Sequence, residues 1–134
     1  VVLEDGRTEV RFKPTPPLPS YLVAFAVGEL DVVDWQPLAA TALRDRPVPL
    51  RGIAAKGQGE HLRQALARTE PMVSRLERYF DQPYPFDKLD IVAVPDFSAG
   101  AMENAALITY RDSIVLLDDD ATEAQRRRMV IVHA

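Results

Sequence analysis

Residues 94–104 read Val-Pro-Asp-Phe-Ser-Ala-Gly-Ala-Met-Glu-Asn and lie between two apolar runs. The stretch combines a flexible glycine, small side chains, and an acid beside an amide, a composition that can leave backbone groups unpaired and open to a ligand. By residue type alone Glu103 is a surface carboxylate, a helix cap or a ligand for a cation, and all three readings stand at this point. Asp96 and Glu103 would also suit the two acids of glycoside hydrolysis, a reading that depends on their separation through space.

The histidines are His61 and His133, and there is no cysteine, which excludes disulfides and thiolate zinc sites. A catalytic zinc generally takes three protein ligands and leaves one position for water, so two imidazoles would need carboxylate help. His61, beside Glu60 at the start of an amphipathic stretch, reads as an exposed helix residue. His133 falls in the last turn of the final helical stretch, where an H-E-x-x-H pair on one helix face would begin. Sixteen basic against twenty acidic residues give a net charge of -4, which argues against a nucleic-acid partner. The run Arg126-Arg127-Arg128 reads as a solvated helix face.

Several elements would hold these residues. Thr8 to Lys13 alternates charged and apolar side chains as a half-buried strand does. The prolines at 14, 16, 17 and 19 then impose an extended loop or sheet edge up to Ser20. Tyr21 to Val27 has the composition of a buried strand, and Val32 to Gln36 continues the sheet. The stretch Pro37 to Pro49 reads as a connector with a soft boundary, and Val48 to Ala54 as the next strand. Gly59 to Phe80 has helical apolar spacing, with a kink or break expected near Thr69 because of Pro71. Asp81 to Lys88 is a turn, Leu89 to Val94 a strand closed by Pro95, and Ala105 to Tyr110 and Ser113 to Leu117 two short strands. Thr122 with Gln125 makes a capping-box start for a last helix. The expected class is α+β: a mixed sheet, one long amphipathic helix and a C-terminal helix. The longest apolar stretch, Tyr21 to Gly28, is well short of the ~20 residues that span a bilayer. A start without Met or a signal-peptide pattern reads as the middle of a longer protein, leaving the compartment open and any signal or anchor outside.

Gly100 to Asn104 spells G-A-M-E-N, and other segments accompany it in order: Thr15 to Gly28, Tyr79-Phe80, Tyr84-Pro85, Lys88-Leu89-Asp90, Val94 to Phe97 and Leu107 to Arg111. From about Phe12 to the end the chain resembles the gluzincin zinc aminopeptidases. The resemblance implies that residues 1–36 close a preceding β-domain or link into the catalytic domain. Residues 37–134 would be the leading β-rich lobe of a thermolysin-like catalytic domain, truncated at or just before the zinc helix. It also implies that Glu103 takes the α-ammonium of a peptide with a free N-terminus. Gly100 and Ala101 would offer backbone groups that align the peptide as an added strand, Asn104 would position its first residue, and Met102 would pack or wall the first pocket. Gly100 would be required because a Cβ would block close backbone approach.

By the same resemblance the whole enzyme would use zinc to polarise the scissile carbonyl and activate water, with a Glu of H-E-x-x-H as base. This segment supplies recognition and would be inactive alone, its partners being peptides and the remainder of the catalytic domain. The chain departs from the family twice. Ala105-Ala106 stand where many members carry Trp-Gly, and the zinc motif is missing. Val132-His133-Ala134 reads as the approach to a motif just past the end. In the competing reading His133 is the first zinc ligand and Ala134 replaces the catalytic Glu. An alternative from another class is a noncatalytic peptide-binding module that keeps the amino-terminus anchor without zinc.

Overall fold

The computed structural model describes residue 2 and residues 4–134. Its frame is a five-stranded mixed sheet of β1 (Leu30–Leu38), β2 (Val48–Ala55), β3 (Leu89–Val94), β4 (Ala101–Met102) and β5 (Leu107–Arg111), in the order β1-β2-β3-β5-β4. β1 runs antiparallel to β2, β2 and β3 are parallel, β3 and β5 are parallel, and β4 returns antiparallel on β5 as an edge. β3 lies at the centre with all but its last residue buried. That explains its unbroken apolar character, since strands covered on both faces lose the polar alternation of half-buried ones. The class is α+β, as expected.

Parallel pairing of β2 and β3 requires a crossover, supplied by a 3₁₀ turn (Gly59–Leu62) and α1 (Arg63–Phe80). The helix seats directly on β2: a Cβ at Gly52 would come within 2.9 Å of the side chains of both Leu62 and Leu66. A single helical turn, α2 (Asp112–Val115), follows β5, and α3 (Glu123–His133) closes the described chain. α3 opens with the expected capping box, Thr122 accepting from the Gln125 amide while the Gln125 side chain reaches back. Among the described residues no helix is long and apolar enough to cross a membrane.

Four expectations need correction. Thr8 to Lys13 forms no strand, only an isolated bridge between Val2 and Thr8, and Val10 and Phe12 are exposed. Tyr21 to Val27 is not a buried strand: a 3₁₀ turn spans Ser20–Leu22, the rest has no ladder partner among the described residues, and Tyr21, Val23, Phe25 and Val27 are exposed. Composition suited both segments to a sheet, but strands exist only where a neighbouring strand pairs their backbone. Ser113 to Leu117 is the turn of α2 rather than a strand. Its Ile114 and Val115 are buried all the same, so the apolar signal was one of burial, which short helical and extended segments share. Finally, of the kink or break expected near Thr69 the break does not occur: α1 runs through Pro71 as one helix. The carbonyl that Pro71 leaves without a donor belongs to exposed Ala67, within reach of water. The position between residues 36 and 37, where the sequence suggests a division, falls within β1.

Two buried ionic groups fasten the frame. Arg44, 2 % exposed, donates to Glu77 at 2.8 Å and to the Ala39 carbonyl, tying the β1–β2 connector to α1. Asp90, 1 % exposed on β3, accepts two hydrogen bonds at 2.8 Å from Arg51 on β2 and one at 2.6 Å from Lys88. Burial alone would raise the Asp90 carboxyl, but the hydrogen bonds from Arg51 and Lys88 outweigh it and hold it below the usual carboxylate range. Lys88 also donates to the carbonyl of Ala106 at 2.8 Å, as does the Asp90 amide at 3.1 Å. These bonds hold Ala106 at φ 60°, a left-handed conformation. Here lies the physical content of one family departure, because glycine adopts that conformation without the steric cost an alanine carries.

Ala106→Gly should stabilise the protein by about 0.5–1 kcal/mol, the left-handed strain removed less the added chain entropy of glycine. The urea midpoint would rise at unchanged slope, and an unaltered or lower midpoint would show that Ala106 is not strained. Asp90→Asn should cost about 2–4 kcal/mol at neutral pH by leaving two cations without their carboxylate. Because the folded Asp90 binds its proton less readily than the unfolded chain, its contribution is full above the unfolded value near 4. It is lost as pH falls through the lower folded value. The gap between wild type and Asp90→Asn should therefore narrow in acid, and a gap constant from pH 7 to pH 3 would refute the assignment.

Candidate functional site

Between α1, the sheet and the end of α3 lies a cavity of about 510 Å3. Met72, Val73, Leu76 and Phe80 of α1 form one wall, Leu89, Ile91, Ile108 and Tyr110 of the sheet the floor, and residues 82–85 and 132–134 the ends. Burial pushes the phenols of Tyr84 and Tyr110 well above their ordinary range, so both stay protonated and neutral.

The segment singled out in the sequence forms the cavity's outer margin. Ala101 and Met102 are β4, a short edge strand that sequence reasoning read as part of a loop. Successive side chains alternate in an extended chain, and accordingly Ala101 and Glu103 line the cavity while Met102 does not. Glu103 is exposed, and among the described residues its carboxylate has neither a hydrogen bond nor an ion pair. The other acid of the cavity, Glu77, is already neutralised by Arg44 and accepts the Tyr84 amide at 2.8 Å. The cavity therefore presents one uncompensated negative charge at the margin of an apolar space.

Asn104 is buried beneath the loop, where its side-chain oxygen accepts from the Thr109 hydroxyl at 2.9 Å and its carbonyl from the Leu107 amide. It fixes the turn from Glu103 into β5. A Cβ at Gly100 would meet Val132 at 3.5 Å and Ile114 at 3.7 Å, ordinary contacts. Among the described residues nothing excludes a side chain there, so any requirement for glycine comes from what approaches the loop.

His133 lines the cavity with its ring 5.2 Å from that of Tyr110. The Thr69 hydroxyl gives its hydrogen to the Ala65 carbonyl at 3.0 Å and meets His133 Nε2 at 2.9 Å. Nε2 must then be the donor, which leaves the proton there and a bare lone pair on Nδ1. That Nδ1 is buried and has no partner among the described residues, and burial lowers the imidazole to about 4. His61 does not share the cavity: it sits in the 3₁₀ turn before α1, half-exposed, with Nδ1 2.6 Å from Asp118. Asp96 is exposed in the turn after β3 at φ 55° and lies outside the cavity lining. Among the described residues no group of three His, Cys, Asp or Glu is placed to hold a metal ion. These residues do not by themselves make a zinc centre.

Two cations not singled out from the sequence hold the segment. Lys88 secures Ala106, as described above. Arg111, at the end of β5, donates through Nε to the carbonyls of Phe97 at 2.7 Å and Ala99 at 3.1 Å, and through Nη2 to that of Ser98. Both fall within short segments that match the family, but bonds to backbone carbonyls leave no partner residue to be read in a sequence.

The family described as Peptidase family M1 domain matches residues 64–134, more than half of the chain. Puromycin-sensitive aminopeptidase of Caenorhabditis elegans is 39% identical over 132 residues, 97% of this chain. Aminopeptidase Ey of Gallus gallus is 38% identical over 95% of the chain, and aminopeptidase N of Homo sapiens 36% identical over 96%. In each case the chain spans 13% of the relative's length. The cavity lining, the edge strand and Glu103 all fall within residues 64–134, and the chain belongs to peptidase family M1.

Proposed function

We propose that this chain is the substrate-anchoring part of a zinc-dependent aminopeptidase, and that Glu103 receives the α-ammonium of a peptide. The observation that carries the reading is the unpaired Glu103 carboxylate at the end of open edge strand β4, on the margin of an apolar cavity. An extended peptide laid along β4 would meet backbone groups at Gly100 and Ala101, and its terminal charge would reach Glu103. A charge-assisted hydrogen bond of about 1.5–3 kcal/mol gives a free amino terminus roughly a ten- to hundredfold advantage over a blocked one. That preference would make an exopeptidase. Asn104 supports the turn from below, and Met102, on the opposite face of β4, serves packing.

In this reading residues 37–134 are the leading β-rich lobe of a thermolysin-like catalytic domain, and residues 1–36 close or join a preceding β-domain, with β1 crossing the division. The zinc, when bound, would polarise the scissile carbonyl and supply activated water. By the resemblance the zinc motif would follow Val132-His133-Ala134; the competing reading, in which His133 is the first ligand, puts Ala134 in place of the catalytic Glu and would leave a metal-binding but inactive protein. What the described residues do is bind and orient the peptide.

In the full-length protein, Glu103→Ala and Glu103→Gln should lower kcat/KM for free-amine peptides by about ten- to a hundredfold, with zinc content by atomic absorption unchanged. Unaltered kinetics would remove Glu103 from this role. Residues 1–134 alone should release no N-terminal amino acid from peptides with or without added zinc. Zinc-dependent release by that piece would overturn its assignment as a recognition segment.

A further inference from the structure

The carbonyls of four consecutive residues, Phe97, Ser98, Ala99 and Gly100, all turn to Arg111. Its guanidinium takes the first three, and its backbone N–H donates to Gly100 at 3.0 Å. Among the described residues no carboxylate pairs with this guanidinium. The loop itself is its counterpart, a set of converging carbonyl dipoles around a cation. Among the described residues no peptide bond is cis, and in a trans peptide the C=O and N–H point in opposite directions. Gathering four carbonyls on one side therefore directs the amides of Ser98, Ala99, Gly100 and Ala101 to the other. The amides of Ser98, Ala99 and Gly100 have no acceptor among the described residues. This row of donors leads straight into β4, the open edge of the sheet, and on to Glu103.

We infer that Arg111 is a positioning residue for substrate: by collecting the carbonyls of residues 97–100 it turns a row of amide donors toward the backbone carbonyls of a bound peptide. The inference rests on the reading that Glu103 anchors the amino terminus. It adds a division of labour along the segment. Glu103 recognises the terminal charge, whereas the row shaped by Arg111 recognises the acceptors of the residues that follow. A substrate with only one residue would use the first and not the second.

The test compares, in the full-length protein, an aminoacyl amide with a tetrapeptide sharing the same first residue. Arg111→Gln should raise KM for the tetrapeptide by about tenfold or more, as expected for losing one or more oriented hydrogen bonds, while kcat and KM for the amide stay close to wild type. Arg111→Lys keeps the charge and can satisfy one carbonyl, so it should fall between wild type and Gln. Should Arg111→Gln fail to fold, Arg111→Lys carries the same comparison. An equal loss for both substrates, or none for either, would leave Arg111 with a structural role only and overturn the inference. Glu103→Gln, measured in parallel, separates the two layers. If it weakens both substrates and the Arg111 variants show no dependence on length, the anchor stands and the Arg111 role falls. If it leaves both unchanged, the anchor reading falls and takes the Arg111 role with it.

Discussion

A carboxylate with almost no access to water sits at the centre of this sheet, and the position of the site follows from how its charge is met. Asp90 on β3 is 1 % exposed, and an unpaired charge at such a position would be strongly destabilising. Arg51 meets it from β2 and Lys88 from the residue before β3. Lys88 then has donors to spare and spends one on the Ala106 carbonyl, beside the entry to β5. The pairing that secures the register of two strands thus also sets where the loop carrying Glu103 must end. Arg111 gathers the carbonyls at the loop's beginning. Glu103 is held out at the margin of the cavity from the Asn104 end, through Lys88 and the Asn104–Thr109 bond.

How much of this could be read from residues alone differs by element. β3 was legible to the residue because Pro95 and the turn at 81–88 bracket an apolar run, and the start of α3 because a capping box is a local device. A kink or break was expected near Thr69 because proline at position 71 is unfavourable in an isolated helix. In the folded chain, packing of Leu62, Ala65 and Leu66 at one end and Glu77 at the other holds α1 together across it. The runs at 8–13 and 21–27 had the composition of strands, but composition says nothing about whether a neighbour is present to pair. β4 was missed because two residues are too few for any period to register.

The candidate site was legible in its residue types more than in its construction. Gly100 to Asn104 stood out at once, and the alternation that sends Ala101 and Glu103 to the cavity and Met102 away needed only the knowledge that the segment is extended. Asn104 had been read as a contact to substrate, and in the fold it is buried against Thr109. What no sequence could disclose is that a guanidinium and an ammonium hold the loop through its carbonyls. The proton on His133 is of the same kind: its place on Nε2 follows from a threonine 64 positions away that has already given its hydrogen to Ala65.

The bare extended stretch after Leu22 has a mechanical side. Val23, Phe25 and Val27 are exposed, and among the described residues no strand pairs with this backbone. The stretch is moored to the loop at one point, where the Ala105 amide donates to the Leu22 carbonyl at 3.1 Å. A displacement of the stretch would therefore reach the loop through this tether. Cross-talk passed along that tether is bounded by the worth of a single neutral hydrogen bond, about 1 kcal/mol, and by reciprocity it is felt equally at both ends.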